Sequence, residues 1–317
     1  DWDNLLEDLK IDKIIFNVPR VAPVLYLSAI RHKISILLLF HTNKDIAAMQ
    51  RPNFKYHAYG VWNQQMKEDL ITKLPDANQD NVVIIGNSHY SYLAKVLPNT
   101  KREYFKIKYK IKKGTFLILY TAAAPFVIKN EAQYLKDIID QMALRGMSNY
   151  RIILRKNPMD ETDTLEKVFS QNKKVIIQTP MWYWNRNFNF NYTHYADLEE
   201  FSFLLESSNI CINIPSSVTV EASIKHLPVI NLCYLSEGVE LQSSGKIQDF
   251  WMAPFYEAYH KYGFVFPTFC KEEVGIIIDQ IYMRLKEPKG FEDCINETLG
   301  FKVKDIQTET VRFICTA

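Results

Sequence analysis

From one end of the chain to the other, short apolar runs alternate with helix-patterned segments. Strands joined through helices are joined by crossovers, and crossovers line strands up in a parallel sheet. In the first third the runs are Lys13 to Val18, Ile34 to His41, Lys55 to Val61 and Asn81 to Gly86. The helical segments between them are Ala22 to His32, Asn63 to Leu74 and His89 to Leu97, and Met66, Leu70 and Leu74 make one stripe of the second. The second half repeats the pattern. Strands are predicted at Thr115 to Thr121, Tyr150 to Arg155, Lys174 to Thr179, Asn209 to Ile214 and Pro228 to Leu232. The helices are Asn130 to Met147, Thr162 to Ser170, Leu198 to Ser207 and Ser217 to Lys225. A short strand at Phe264 to Phe266, an amphipathic helix at Lys271 to Leu285 and a polar C-terminal stretch close the chain. The fold class expected is α/β, with two Rossmann-like doubly wound domains, the first open to being incomplete.

Length agrees: 317 residues at ~150 per domain leave room for about two. An apolar fraction of 47% with 23% charged excludes disordered and low-complexity classes. Glycine is scarce at ten residues, and no two stand as Gly-x-Gly, which removes the dinucleotide fingerprint and the Walker loop. Cys211, Cys233, Cys270, Cys294 and Cys315 are dispersed and odd in number, so they read as reduced thiols of a reducing compartment. No zinc motif is present. Asp1-Trp2-Asp3 is a formal Asp-x-Asp, but it precedes no nucleotide-binding βα unit, and a metal role is not expected of it. The longest apolar stretch, Ile34 to Phe40, falls short of the ~20 residues of a membrane span. Without an initiator Met or a signal pattern, the sequence reads as part of a longer soluble, cytoplasmic protein.

Net charge is only +2, which by itself makes no case for nucleic acid, but it is unevenly spread. Lys101, Arg102, Lys106, Lys108, Lys110, Lys112 and Lys113 crowd into thirteen residues against the single acid Glu103. Period-two alternation of lysine with Ile107, Tyr109 and Ile111 predicts a strand with Lys106, Lys108, Lys110 and Lys112 on one face. That face fits an edge strand guarded against aggregation. It also fits peripheral contact with an anionic membrane or an acidic polymer. The domain boundaries expected are 1–100, a basic linker over 101–113, 114–270, and C-terminal helices over 271–317.

Ligands of such sheets sit at the carboxyl ends of the strands, so the loops there are the candidate site. Asn209 to Ile214 is a buried strand, followed by Pro215, Ser216, Ser217, Thr219 and Glu221 as a helix opens. The two hydroxyls and the free amides of a first turn form an anion site. Glu221 misses the spacing of a capping box. Tyr150 to Arg155 ends in Lys156-Asn157-Pro158. Pro180 opens a long aromatic loop containing Met181-Trp182-Tyr183-Trp184, suited to stacking a base or a sugar ring. Thr121 closes the first strand of the second half.

Together with Pro228-Val-Ile-Asn-Leu, the Ser216-Ser217…Glu221-Ala222 block resembles the donor-binding block of GT-B glycosyltransferases that build bacterial surface and capsular polysaccharides. Arg155-Lys156-Asn157-Pro158 resembles the Arg-x-His-Pro of the same enzymes and of Kdo- and polysialic-acid transferases, with Asn157 where those have His. Tyr59-Gly60-Val61-Trp62-Asn63, followed by the strand ending at Gly86, is a weaker likeness. The resemblance implies that Ser216 and Ser217 hold the phosphate of a nucleotide sugar and that Glu221 takes a ribose or sugar hydroxyl. It further implies that Arg155 and Asn157 complete the leaving-group set, with Arg155 and Lys156 supplying the charge an Asn cannot. Thr121, Pro180, Trp182 and Thr219 join the donor-binding residues. His41 or Asp45, at a strand end of the acceptor domain, would be the general base. The activity implied is metal-independent glycosyl transfer from a UDP-, CMP- or CDP-linked sugar, without a further cofactor, to a glycan or lipid-linked glycan. The alternatives are a nucleotide-sugar 2-epimerase, a CDP-alcohol phosphotransferase, or a non-catalytic glycan-binding module.

Overall fold

A computed structural model describes residues 2–17, 23–40, 46, 54–185, 190–242, 258–300 and 305–317. The chain divides into two compact units, Asp1–Tyr92 with Ile295–Ala317, and Leu93–Cys294.

The first unit holds α1 (Trp2–Asp8), β1 (Lys13–Phe16), α2 (Pro23–Arg31), β2 (Ser35–Leu39), β3 (Ala58–Val61), α3 (Gln64–Lys73) and β4 (Val82–Ile84). Its four strands are parallel and lie in chain order β1-β2-β3-β4. Helix α3 starts where the sequence places it: the Asn63 side chain accepts from the Met66 amide at 2.9 Å, and Met66, Leu70 and Leu74 are buried. Gly60 in β3 is set by packing, since a Cβ there would fall 2.5 Å from the Ile85 side chain.

Helix α4 (Ser88–Leu93) leads into the second unit. There the chain runs through α5 (Asn99–Lys108), β5 (Phe116–Thr121), β6 (Ile128–Lys129), α6 (Ala132–Leu144), β7 (Tyr150–Arg155), α7 (Thr164–Phe169), β8 (Val175–Gln178), β9 (Trp182–Asn185) and β10 (Phe190–Thr193). It continues through α8 (Tyr195–Ser207), β11 (Ile210–Asn213), α9 (Val218–Ile224), β12 (Val229–Leu232), β13 (Glu240–Leu241), β14 (Val265–Thr268), α10 (Lys271–Tyr282) and α11 (Phe291–Leu299), and α12 (Ile306–Thr316) ends in the first unit. Six parallel strands form one sheet in the order β14-β12-β11-β5-β7-β8. From β5 the chain builds outward through β7 and β8, then returns to β5's other side for β11, β12 and β14. This doubly wound order has its topological switch point between β5 and β11.

Two expectations need correction. As far as Lys108 the basic segment is the helix α5 and not a strand, and Lys110 to Lys113 lie in the turns and loop that follow it. Phe105 and Tyr109, four apart, form the buried stripe, and the Phe105 ring lies 5.1 Å from that of Phe203 on α8. Ile107 is 77% exposed, so the alternation in sequence corresponds to no face of the structure. Part of the charge is paired within the unit: Lys101 with Glu199 at 2.8 Å, Arg102 with Glu206 and Lys108 with Glu200. The strand face of Lys106, Lys108, Lys110 and Lys112 therefore does not form. Secondly, the aromatic loop contains an antiparallel hairpin, β9 with β10, built from the aromatic and β-branched residues that favour strands. Helix α8 starts at Tyr195, its entry held by His194, whose ring accepts from the Ala196 amide at 3.1 Å. Among the described residues, no helix is long and apolar enough to cross a membrane.

Candidate functional site

Parallel register carries one row of residues across the carboxyl ends of five strands. Asn231 of β12 faces Asn213 of β11, Asn213 faces Thr121 of β5, Thr121 faces Arg155 of β7, and Arg155 faces Gln178 of β8. Partners in register share a face of the sheet. Five buried polar side chains therefore stand side by side, and the row before them is Ile230, Ile212, Tyr120, Leu154 and Ile177.

Buried polar groups are almost always hydrogen-bonded, so their partners can be traced. Asn231 Nδ2 donates to Asn213 Oδ1 at 2.6 Å, and Asn213 Nδ2 donates to Ser216 Oγ at 3.1 Å. Ser216 Oγ also accepts from the Val218 amide at 3.3 Å. Both acceptor positions of that hydroxyl are filled, which leaves its proton to donate. Thr121, at the switch point, is the break in the row: its Oγ1 is buried and has no hydrogen-bond partner. The Cys211 thiol lies against it, and a thiol is a weak hydrogen-bonding group. Thr219 Oγ1, in the first turn of α9, is buried and unpartnered as well. Ser217 is exposed at the head of that helix, and Glu221 is buried within it.

Arg155 is committed elsewhere. Its guanidinium donates to Gln178 Oε1 at 2.6 Å and to both oxygens of Asp197, at 3.1 and 2.7 Å, with the Phe201 ring 4.5 Å away. Burial alone would raise the Asp197 carboxyl, but Arg155 outweighs it and holds the group below the usual carboxylate range. Asp197 also accepts from the Met181 amide, Trp182 Nε1 and Thr193 Oγ1, and so ties the two strands of the β9–β10 hairpin together at their open end. Trp182 and Tyr183 stay half exposed beyond the half-buried Pro180. Lys156 is buried and paired with Glu166 at 2.8 Å. The cations expected to compensate for Asn157 are thus already balanced by carboxylates. Asn157 itself closes a local turn, accepting from the Met159 amide at 3.0 Å, while its Nδ2 reaches Ala122 O at 3.5 Å.

Glu131, just before α6, went unnoticed in the sequence. Its carboxyl accepts from the Ala123 amide at 2.9 and 3.1 Å and from the Tyr120 hydroxyl at 3.0 Å, which ties it to the loop that follows β5. Burial pushes its pKa up to about 8. The only signal for it was an acid at a helix start, the ordinary complement of the helix dipole. His41 and Asp45 lie outside the described residues. Among the described residues, no group of three His, Cys, Asp or Glu side chains could hold a metal ion.

No family model and no curated protein matches the chain. Solved structures do. UDP-GlcNAc 2-epimerase from Neisseria meningitidis, bound to UDP-GlcNAc, superposes with a TM-score of 0.64 at 14% identity, over 99% of this chain and 79% of that one. A glycosyltransferase from Rickettsia africae gives 0.55 at 14%, over 99% and 80%. The Anabaena protein HepE, in complex with UDP and glucose, gives 0.57 at 12%, over 100% and 81%. The matches run through both units, so the chain has the two-domain, Rossmann-type GT-B-like fold that these epimerases and glycosyltransferases share.

Proposed function

We propose that the chain is a nucleotide-sugar enzyme of the GT-B type, which binds a nucleoside diphosphate at the switch point of the second unit and transfers the sugar to a glycan acceptor. The observation that carries this reading is the group of uncommitted donors around the head of α9: the Ser216 hydroxyl, whose proton is left to donate, the exposed Ser217, and the buried Thr121 and Thr219 without hydrogen-bond partners. Ligands of open α/β sheets lie at this crevice. Since Arg155 and Lys156 are paired, the donor set supported here is neutral, and it stabilises a leaving diphosphate through O–H and N–H groups aimed at developing charge. The solved neighbours that hold UDP-GlcNAc, or UDP with glucose, support the ligand class.

Epimerisation is the second reading, favoured by the several 2-epimerases among the structural neighbours. The loop after β5 is Ala122-Ala123-Ala124-Pro125, with no titratable side chain. An acid and a base for either reaction must come from other residues, and His41 and Asp45 remain the proposed base candidates. Labelled UDP-GlcNAc separates the readings, because epimerisation proceeds without an acceptor whereas transfer needs one. Replacing Ser216 and Ser217 together by Ala is expected to weaken UDP binding at least tenfold, and unchanged affinity in calorimetry would remove the central claim.

A further inference from the structure

The two ends of the six-stranded sheet differ in charge. The connections that enter the strands, 109–115, 145–149, 170–174, 208–209, 225–228 and the described 258–264, make up the amino end. They contain Lys and Arg and no Asp or Glu. The carboxyl end has acids, with Asp160, Glu161 and Asp163 after β7. Some of the amino-end cations are committed: Arg145 donates to Gln141, Lys174 donates to the Ser148 carbonyl, and Lys225 lies 3.6 Å from Glu206. Lys110, Lys112, Lys113 and Lys173 are exposed, and among the described residues none of the four has a carboxylate within 4 Å. Helix dipoles account for cations in a last turn, where the effect fades, but these four lie beyond the ends of α5 and α7. Lys110 even stands at φ 51°, the left-handed conformation that a helix end usually gives to glycine.

The lysines belong to neighbouring loops, since β5, β7 and β8 are adjacent and Asn149 Nδ2 ties the second loop to the first by donating to Gly114 O at 2.9 Å. Two aliphatic side chains stand at the same loops. Ile107, in the last turn of α5, is 77% exposed, and Leu144, the last residue of α6, is 78% exposed. We propose that this end of the second unit docks on an anionic lipid bilayer, with the four lysines against headgroup phosphates and Ile107 and Leu144 entering the interface. Apolar side chains among cations are the combination that a bilayer surface rewards. An acidic polymer matches the lysines but offers the aliphatic groups no apolar phase. Docking of this kind leaves Ser216 and Thr121 at the opposite end of the sheet, and it is independent of the nucleotide reading.

Co-sedimentation tests it, with vesicles of phosphatidylcholine alone and of phosphatidylcholine with an equal part of phosphatidylglycerol. The parent is expected on the anionic vesicles only, and to be released as salt rises from about 0.1 to 1 M and the Debye length shrinks from about 10 to 3 Å. Each lysine near an anionic surface strengthens binding about fivefold. Lys110→Asn, Lys112→Ser, Lys113→Ser and Lys173→Ser combined should therefore weaken it at least a hundredfold, Asn being chosen because it tolerates the left-handed conformation. Arg at the same four positions keeps the charge and should keep the binding, which separates lost charge from lost fold. No binding by the parent, equal binding to both kinds of vesicle, or an unchanged Asn/Ser variant would overturn the proposal. Ile107→Ser with Leu144→Ser distinguishes lipid from polymer. The pair should weaken vesicle binding at least tenfold and leave any binding to dextran sulfate as in the parent. If it changes neither, the lysines alone form a polyanion site and the bilayer is not their partner.

Discussion

A buried hydroxyl without a partner costs about 1–3 kcal/mol, so Thr121 is a place where the fold gives up stability. Thr121→Val keeps the shape and removes the polar atom. Urea unfolding is expected to show it as stable as the parent or up to about 2 kcal/mol more so, and calorimetry to show UDP affinity reduced about tenfold, the size of a lost hydrogen bond to a charged group. A stabler protein with unchanged affinity would leave Thr121 as a simple packing defect. Arg155 should behave in the opposite way. Breaking a buried pair strands the partner charge, so Arg155→Met is expected to destabilise by about 3–5 kcal/mol. Loss of affinity at full stability would return the guanidinium to the ligand. Ser216 stands out in the sequence because its signal is local, two hydroxyls between a strand and a helix, and the structure shows that strand and helix. The pairing of Arg155 with Asp197 could not be read from the sequence, because the two are 42 residues apart, a separation no motif records.

At the scale of elements, strands and helices could be read wherever apolar spacing was unambiguous, as in α3 with its Asn63 cap or β7 with its six-residue run. Helix α5 was misread because Phe105, Ile107, Tyr109 and Ile111 satisfy a period of two, while the same residues also hold two pairs at helical spacing, of which the structure buries Phe105 and Tyr109. Tertiary contact with α8 decided between them. The two periods make different predictions. On a strand face Phe105 and Ile107 would be buried together and equally sensitive. On α5, Ile107→Lys is expected to change stability by less than about 0.5 kcal/mol, as exposed positions do. Phe105→Ala should cost about 3–5 kcal/mol. Equal losses in denaturant melts would restore the strand. The hairpin β9–β10 was hidden for a related reason, since its two strands are tied together at their open end by Asp197 of the following helix, a partner outside the loop itself.

At the scale of the whole molecule, the rhythm of strands and helices implies a parallel sheet, but neither the order of its strands nor the return of α12 to the first unit follows from it. That order is what brings together the ends of β5 and β11, roughly 90 residues apart in sequence, and so places Thr121 beside Asn213. A site created by strand order has a directional consequence. Parallel strands send every loop that follows a strand to one end of the sheet and every loop that precedes one to the other. At a hundredfold excess over its dissociation constant, UDP should stabilise the fold by about 2.7 kcal/mol through mass action. Hydrogen exchange should then show the protection concentrated at the carboxyl end, in residues 122–125, 156–158 and 214–218. The amino-end connections 145–149, 170–174 and 225–228 should exchange as in the free protein. Protection spread evenly over both ends would mean that UDP stiffens the unit without docking at the switch point. Protection at the amino end alone would place the ligand on the opposite side of the sheet, away from Ser216 and Thr121.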